Sequence, residues 1–301
     1  MMNRETFGAI DIGSNAIRLL IDYVEQYEDQ RTEYKKAAFV RVPVRLGDDV
    51  FLRGHIGNDR AEALCDAMQG FAALLRAYGV RDYRACATSA MREAANSRDI
   101  LERVRLRSGI TVETISGEEE AETIFAAGGL KERLDPTKSY LYVDVGGGST
   151  EIVVYALGRK QAAESFRLGT VRILSGATDP AEWKRFEEWL VRMAEAYRPT
   201  VIIGSGGNIN KVHKLLEKRS REAIRAKELT ALYERLRSLN VVQRMEQFYL
   251  NQSRAEVIVP ALGIFTDVTR LCRIGTIDVP RQGLADGIIR QLYRQYNLPY
   301  R

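Results

Sequence analysis

Short apolar runs alternate with longer amphipathic segments in the first half of the chain. Residues 7–10, 16–24 and 35–44 predict strands, because their apolar positions form runs too short for helices and are bounded by polar turns. Residues 60–78 predict a helix, since their apolar side chains recur every three or four positions. Further strands are predicted at 83–87 and 111–115, and further helices at 99–108 and 116–130. This alternation predicts an α/β protein.

The pattern starts again after the polar segment 131–139, which contains Pro136. We therefore expect a first domain over residues 1–130 and a second over 131–301, with a last helix at about 285–296 that packs back on the first. The second half has predicted strands at 140–143, 151–157 and 200–203 and an amphipathic helix at 181–197, with helices in most of the remainder.

Each half opens with a related strand–turn–strand segment. Residues 11–22 (DIGSNAIRLLID) align with residues 144–155 (DVGGGSTEIVVY), so that Asp11 matches Asp144 and Gly13 matches Gly146. Chance similarity of two hairpins is the alternative, but each copy begins a similar α/β run, which favours a duplication. The copies differ in charge, because Arg18 stands where the second copy has Glu151.

The two turns have the composition of phosphate-binding loops. Glycines allow backbone N–H groups to approach an anion closely, and successive N–H groups in a tight turn form an anion-binding nest. An aspartate beside a phosphate would repel it, unless a divalent cation such as Mg²⁺ binds both. Asp11 and Asp144 are therefore candidate ligands of Mg²⁺, directly or through water. A third glycine loop at 204–207 follows a predicted strand and opens a helix, which is another anion-binding arrangement.

Composition narrows the class of protein. The 301 residues are 45% hydrophobic and 28% charged, as in a soluble globular protein, and no apolar run reaches the ~18–20 residues of a membrane span. Charged residues near the N-terminus argue against a signal peptide. The three cysteines lack CxxC spacing and only two histidines are present, so we expect reduced thiols, no zinc site and a cytoplasmic location.

The net charge of 45 − 40 = +5 is concentrated in residues 211–237, which hold nine Lys/Arg and four Glu and look helical. This basic stretch is either a solvated helical face or an electrostatic guide for a polyanion. Nucleic acid is a less favoured partner, since aromatic residues are sparse here and no nucleic-acid-binding motif is present. The sequence leaves the oligomeric state open, with a homodimer as one alternative.

The ordered motifs of the whole chain closely resemble the exopolyphosphatase / guanosine pentaphosphate phosphohydrolase family. The resemblance is carried by AIDIGSNAIRLLI (9–21), VRLGDDV (44–50), CATSAMREAANS (86–97), ISGEEEAETIF (115–125), YVDVGGGSTEIVV (142–154), FRLGTVRI (166–173) and GSGGNINKV (204–212), and more loosely by VPALGIFTDV to QGLADGII. It implies an α/β fold of two duplicated ribonuclease-H-like (actin-like ATPase) domains with a cleft between them. It also implies hydrolysis of terminal phosphate from polyphosphate or guanosine pentaphosphate, assisted by Mg²⁺ or another divalent cation.

The resemblance also assigns roles to residues. Glu120 is implied as the catalytic base, and Glu151 as the group that positions the attacking water or a metal. From the residues alone, Glu118 to Glu120 equally suit a helix start, with Ser116 and Glu119 as a capping pair. Asp11 and Asp144 remain the expected metal ligands. The expected phosphate contacts come from Ser14, Asn15, Arg92, Gly146, Gly147, Gly148, Ser149, Thr150, Gly206 and Gly207.

Two positions depart from the family's pattern, which has serine where this chain has Ala16 and often threonine where it has Asn208. These departures affect expected phosphate contacts and leave the carboxylates in place. Two other functions stay open at this stage. One is an actin-like ATPase or sugar kinase on the same scaffold, because fold does not determine function. The other is a non-catalytic sensor that binds guanosine tetra- or pentaphosphate.

Overall fold

A computed structural model of the chain describes residues 3–29, 31–127 and 134–297. The chain forms two compact units. The first comprises Met1–Gly128 together with Gly283–Arg301, and the second comprises Gly129–Gln282. The predicted helix end at 128–130 and residues 131–133 of the predicted boundary segment lie outside the described residues.

The first unit contains a five-stranded sheet in the order β3-β2-β1-β4-β5. The strands β1–β5 span Asn3–Ile12, Ile17–Gln26, Thr32–Val42, Asp82–Ala87 and Glu113–Thr114. The first three strands are antiparallel, and β4 and β5 continue the sheet in parallel. The helices α1–α5 span Leu46–Arg53, Asn58–Ala77, Ser89–Glu93, Ser97–Ser108 and Gly117–Ala127, and α12, the last helix in chain order, spans Leu284–Asn297.

The second unit contains a six-stranded sheet in the order β10-β11-β9-β6-β7-β8. The strands β6–β11 span Tyr140–Val145, Thr150–Ala156, Arg159–Phe166, Val201–Ser205, Ile224–Arg225 and Thr276–Asp278. The helices α6–α11 span Thr170–Leu174, Pro180–Tyr197, Gly207–Leu215, Ala226–Arg237, Val241–Phe248 and Gln252–Cys272. The short edge strand β10 has no counterpart in the five-stranded sheet described for the first unit.

The two sheets share one topology, as the internal repeat predicts. The order β3-β2-β1-β4-β5 corresponds to β8-β7-β6-β9-β11, with an antiparallel three-stranded meander followed by parallel strands in both units. The register agrees to the residue: Asp11 pairs with Arg18 across β1 and β2, and Asp144 pairs with Glu151 across β6 and β7. Both aspartates are therefore the penultimate residue of the central strand of their sheet, close to the glycine turn.

Several elements differ from the prediction. The strand expected at 111–115 is only the two residues of β5, and the basic stretch is divided between α8, β10 and α9 instead of forming one helix. Within that stretch Lys218 lies 3.0 Å from Glu222 and 2.9 Å from Glu228, so part of its charge is paired locally. The prediction missed α1 and β8, because one is short and the other is an edge strand without a clear apolar alternation.

The sheets carry separate apolar cores. In the first unit the stripe on α2 that the sequence predicts is buried, with Leu64, Met68, Phe71 and Leu75 against the sheet. In the second unit the ring of Phe166 packs edge-on against Phe186 at 5.2 Å between centroids. The cysteines at 65, 86 and 272 are buried and free. Among the described residues, no helix combines the length and apolar character needed to cross a membrane.

Asp22 is an exception to the apolar interior of the first unit. Its side chain is only 5% exposed, and its Oδ1 atom has no hydrogen-bond partner among the described residues. Burial, together with the charge of Asp286 on α12, raises the pKa of Asp22 to about 6, against opposing contributions from Lys36 and Arg290. Since the folded protein then binds more protons than the unfolded chain between about pH 4 and pH 6, its stability falls as the pH rises through this window.

The substitution Asp22→Asn should therefore stabilise the protein at neutral pH. At 1.36 kcal/mol per pKa unit, the gain is about 3 kcal/mol at most at pH 7.5 and disappears below about pH 4. Urea-unfolding midpoints of the two proteins at pH 4 and pH 7.5 measure it. Parallel pH profiles for wild type and variant would contradict the assignment of this charge to Asp22.

Candidate active site

Asp11 is the penultimate residue of β1 and is 7% exposed. Arg18, its partner across the hairpin, forms an ion pair with the Asp11 carboxylate. The positive charge that the first repeat carries in place of Glu151 thus lies directly on the aspartate. Asp11 would have to exchange this guanidinium for a cation in order to serve as a metal ligand, so the structure supports its predicted role less than that of Asp144.

The turn after Asp11 is held closed by its own backbone. The N–H of Gly13 donates to the carbonyl of Ala16 over 3.1 Å, and the carbonyl of Asn15 accepts from the N–H of Arg45 over 3.2 Å. The hydroxyl of Ser14, a predicted phosphate contact, lies 2.8 Å from the hydroxyl of Ser89 at the start of α3. Ser14 and Asn15 are therefore fixed between the hairpin and the next helix, at the end of the sheet that carries Asp11.

Arg92 and Glu120 lie together in the first unit. The Arg92 Nη1 atom donates to the carbonyl of Ile115 over 2.6 Å and lies 4.0 Å from Oε2 of Glu120. The side chain of Arg92 is 26% exposed and that of Glu120 is 13% exposed, so both combine partial burial with access to solvent. The structure thus places Arg92, the predicted phosphate-binding residue, beside Glu120, the predicted base. The sequence pattern does not predict this contact.

The neighbouring residue Glu119 forms one half of the expected capping pair with Ser116. The hydroxyl of Ser116 accepts from the N–H of Glu119 over 3.0 Å at the start of α5. The carboxylate of Glu119 turns to Arg84, which donates to it over 2.7 Å. Adjacent glutamates therefore have different surroundings, with Glu119 bound to the sheet and Glu120 beside Arg92.

A pair of buried carboxylates marks the second unit. Asp144 is 7% exposed and Glu151 is 2% exposed, and one oxygen of each lies within 4.8 Å of the other. The hydroxyl of Ser165 on β8 donates to Oε1 of Glu151 over 3.0 Å. Two negative charges this close together in a buried site repel each other, and a bound divalent cation offsets that repulsion. An all-oxygen donor set of this kind fits Mg²⁺.

Backbone hydrogen bonds from the segment after β8 hold the glycine turn between these carboxylates. The carbonyl of Gly146 accepts from the N–H of Thr170 over 3.0 Å, and the carbonyl of Gly147 accepts from Val171 over 2.8 Å. A Cβ at Gly169 would lie 2.3 Å from the carbonyl carbon of Gly148, so only glycine allows this contact. The motif FRLGTVRI therefore holds the glycine turn in place, because its N–H groups donate to the carbonyl groups of the turn.

Two of the predicted phosphate contacts in this loop have other partners. The N–H of Gly146 donates to the carbonyl of Ser149 over 2.9 Å and closes the turn, as Gly13 does in the first unit. The hydroxyl of Thr150 is fully buried and donates to the carbonyl of Leu168 over 2.5 Å. Both groups act structurally here, which leaves Gly147, Gly148 and Ser149 as the better candidates for phosphate binding.

The third glycine loop approaches the same carboxylate. Gly206 has φ of 101°, and a Cβ at this position would lie 2.9 Å from Oδ1 of Asp144. The following residue, Gly207, begins α8, and a Cβ there would lie 3.1 Å from a guanidinium nitrogen of Arg254. Glycine at both positions thus lets the backbone approach two charged side chains.

Arg254 is the functional candidate that sequence reasoning missed. Its Nη1 atom donates to Oδ1 of Asn208 over 2.6 Å, which places the guanidinium at the N-terminal end of α8. Asn208, a departure from the family's pattern, is thereby the residue that positions this arginine. The contact joins residues 46 positions apart, and the motif around Arg254 carries no local signal of a phosphate site.

His213, in the helix after this loop, is not a solvated residue. It is fully buried, its Nε2 atom lies 2.8 Å from the carbonyl oxygen of Glu222, and its Nδ1 atom lies 2.9 Å from Nη2 of Arg281. These contacts give His213 a structural role within the second unit.

Known proteins resemble this chain over nearly its whole length. Exopolyphosphatase 1 of Mycobacterium leprae is 25% identical over an alignment of 307 positions, which covers 94% of this chain and 88% of that protein. A guanosine-5'-triphosphate,3'-diphosphate pyrophosphatase of Vibrio vulnificus is 24% identical over 303 aligned residues, and the match covers 96% of this chain and 60% of the Vibrio protein.

Solved structures share the fold. A crystal structure of the Aquifex aeolicus member of the Ppx/GppA protein family superposes with a TM-score of 0.77 at 26% identity, covering 99% of this chain and all (100%) of that one. An exopolyphosphatase structure from Cytophaga hutchinsonii gives a TM-score of 0.82 at 22% identity, covering 97% of this chain and 98% of that one. The predicted α/β fold of two duplicated actin-like domains is thereby confirmed. Because the profile of the Ppx/GppA phosphatase family matches residues 38–295, the chain belongs to that family.

Proposed function

We propose that the chain is a phosphohydrolase that releases the terminal orthophosphate of inorganic polyphosphate or of guanosine pentaphosphate. The observation that carries the proposal is the buried pair Asp144 and Glu151 on either side of a glycine turn. Such a pair suits a cation bound to phosphate oxygens, and related proteins bear the names of both activities.

In this proposal the glycine loops of the second unit bind phosphate oxygens. Backbone N–H groups of Gly147, Gly148 and Ser149 donate from the first loop, and Gly207 donates from the start of α8, where the helix dipole favours an anion. Arg254 adds a charge-assisted donor at the same helix end. From the first unit, Ser14, Asn15 and Arg92 are the proposed donors.

Asp144 and Glu151 are the residues that would hold a divalent cation, for which we favour Mg²⁺. A bound cation offsets the negative charge of the phosphate oxygens and of the two carboxylates. The arrangement is asymmetric between the repeats, because Arg18 already neutralises Asp11. We therefore assign the main cation-binding role to the second repeat and a lesser one to Asp11.

Glu120 is the proposed base, which orients the attacking water and accepts its proton. The transition state of phosphoryl transfer is loose, so positioning and charge stabilisation contribute more than base strength. Arg92, whose Nη1 atom lies 4.0 Å from the Glu120 carboxylate, places a positive charge beside the proposed base and is also the proposed phosphate donor of this unit.

The test is phosphate release from long polyphosphate, short polyphosphate, guanosine pentaphosphate and ATP, each with Mg²⁺ and with EDTA. We expect release from polyphosphate or the pentaphosphate that falls to background in EDTA, with ATP a poor substrate. Preferred hydrolysis of ATP would instead indicate an actin-like ATPase. No release from any substrate, with guanosine tetraphosphate still bound, would overturn the proposal in favour of a sensor.

A further inference from the structure

The last helix, α12, carries the motif QGLADGII, to which the proposed function assigns no role. Gly287 in this helix faces the backbone of α5. A Cβ at Gly287 would lie 2.2 Å from the carbonyl oxygen and 2.8 Å from the carbonyl carbon of Thr123. Because real Cβ atoms essentially never approach a heavy atom within 3.0 Å, the two helices can lie this close only with glycine at position 287.

Hydrogen bonds continue the contact toward the start of α5. The Gln291 amide nitrogen, one turn after Gly287, lies 3.2 Å from the hydroxyl of Thr123. Its amide oxygen accepts from Arg84 over 3.4 Å, and Arg84 donates to Glu119 over 2.7 Å. These contacts connect α12 to both turns of α5 that surround Glu120.

The other helix of this contact, α12, is fixed to the sheet of the first unit by buried side chains. Ile288 and Ile289 on α12 are fully buried, and the ring of Tyr293 packs edge-on against Phe7 of β1 at 6.1 Å between centroids. A change at the contact would therefore displace α5 more readily than α12, which is fixed to the sheet.

We propose that Gly287 and Gln291 are positioning residues for the catalytic Glu120. Their contacts with Thr123 set how deeply α5 lies on α12 and thereby set the position of the Glu120 carboxylate, three residues before Thr123 on the same helix. The proposal rests on the role of Glu120 in the proposed function. Neither residue touches the reacting groups; both act through the helix that carries the base.

The magnitude follows from the displacement. Moving the clashing atoms from 2.2 Å to an ordinary contact of 3.4 Å requires a shift of 3.4 − 2.2 = 1.2 Å. A misplacement of about 1 Å in a catalytic group costs about a hundredfold in rate. The variant Gly287→Ala should accordingly lower kcat for phosphate release by about a hundredfold and leave KM within about threefold.

A matched control is available in the same unit. Gly70 lies inside α2, and a Cβ there would meet nothing within 4 Å. Gly70→Ala should retain wild-type turnover with unchanged or slightly higher stability, because alanine favours a helix by up to about 1 kcal/mol. If both variants lose turnover equally, then a methyl group added to any helix glycine has the same effect, and the proposal fails.

A second measurement separates positioning from general damage. If Gly287 acts through Glu120, then Gly287→Ala in the Glu120→Gln background should lower the residual rate by less than about threefold, whereas independent effects would multiply. Multiplying effects would overturn the proposal. Gln291→Leu, which removes the hydrogen bonds without a clash, should lower kcat by about tenfold at unchanged KM. If circular dichroism shows that Gly287→Ala does not fold, Gln291→Leu provides the test instead.

The outcomes also separate this inference from the proposed function. A wild-type protein that releases no phosphate from any substrate overturns the function itself. An active wild type that loses turnover in Glu120→Gln but keeps it in Gly287→Ala and in Gln291→Leu overturns only the positioning role.

Discussion

Replacing Glu120 with glutamine should lower kcat for phosphate release by about a thousandfold while KM stays within about threefold. Glutamine has the shape of glutamate and keeps a hydrogen-bonding oxygen, but it cannot accept the proton of the attacking water. The change therefore removes an interaction made in the transition state and leaves substrate binding in place. Steady-state phosphate release with saturating Mg²⁺ measures both constants.

The matched control for this variant is Glu122→Gln. Glu122 lies on the same helix and is exposed to solvent, so the same chemical change occurs two residues away from the proposed base. We expect turnover within about twofold of wild type, since surface substitutions have small effects. Near-normal turnover in Glu120→Gln, or an equal loss in both variants, would refute the assignment of the base.

Replacing Asp144 with asparagine should have the second-largest effect, and it should appear as a changed dependence on Mg²⁺. The substitution halves the negative charge of the pair that Asp144 forms with Glu151. Loss of a group that only supports a metal ligand weakens binding by about tenfold to a hundredfold, so loss of a direct ligand should cost at least that much. Titration calorimetry with Mg²⁺ and no substrate measures the effect independently of turnover.

The comparison that sharpens this prediction is Asp11→Asn. Since Arg18 already forms an ion pair with Asp11, its loss should shift the affinity for Mg²⁺ by less than about threefold. The two substitutions are chemically identical and occupy equivalent positions of the repeat, but the residue across the hairpin is Arg18 for Asp11 and Glu151 for Asp144. Equal losses of affinity in the two variants would show that both repeats bind the cation alike.

Local patterns predicted much of the fold and part of the site. The repeat aligned Asp11 with Asp144 and Arg18 with Glu151, and the two hairpins have the same register at these residues. The buried stripe of α2 and the alternation of elements also follow from periodicities within single segments.

Contacts between distant segments could not be predicted in this way. The bond from Arg254 to Asn208 and the approach of Gly287 to Thr123 depend on how helices pack, and neither leaves a periodic signal. The sequence also does not show that the N–H of Gly146 closes its own turn or that the buried hydroxyl of Thr150 donates to the carbonyl of Leu168. A glycine-rich sequence indicates a tight turn, but it does not show which N–H groups the turn itself uses.

The return of α12 to the first unit has a consequence for biosynthesis. The ring contact between Phe7 and Tyr293 joins residues 293 − 7 = 286 positions apart, so it forms only after residue 293 has left the ribosome. The second unit is continuous in sequence and can fold earlier, while the sheet of the first unit waits with one face uncovered. During translation that apolar face is exposed until α12 covers it, and transiently exposed apolar surface favours aggregation and chaperone binding.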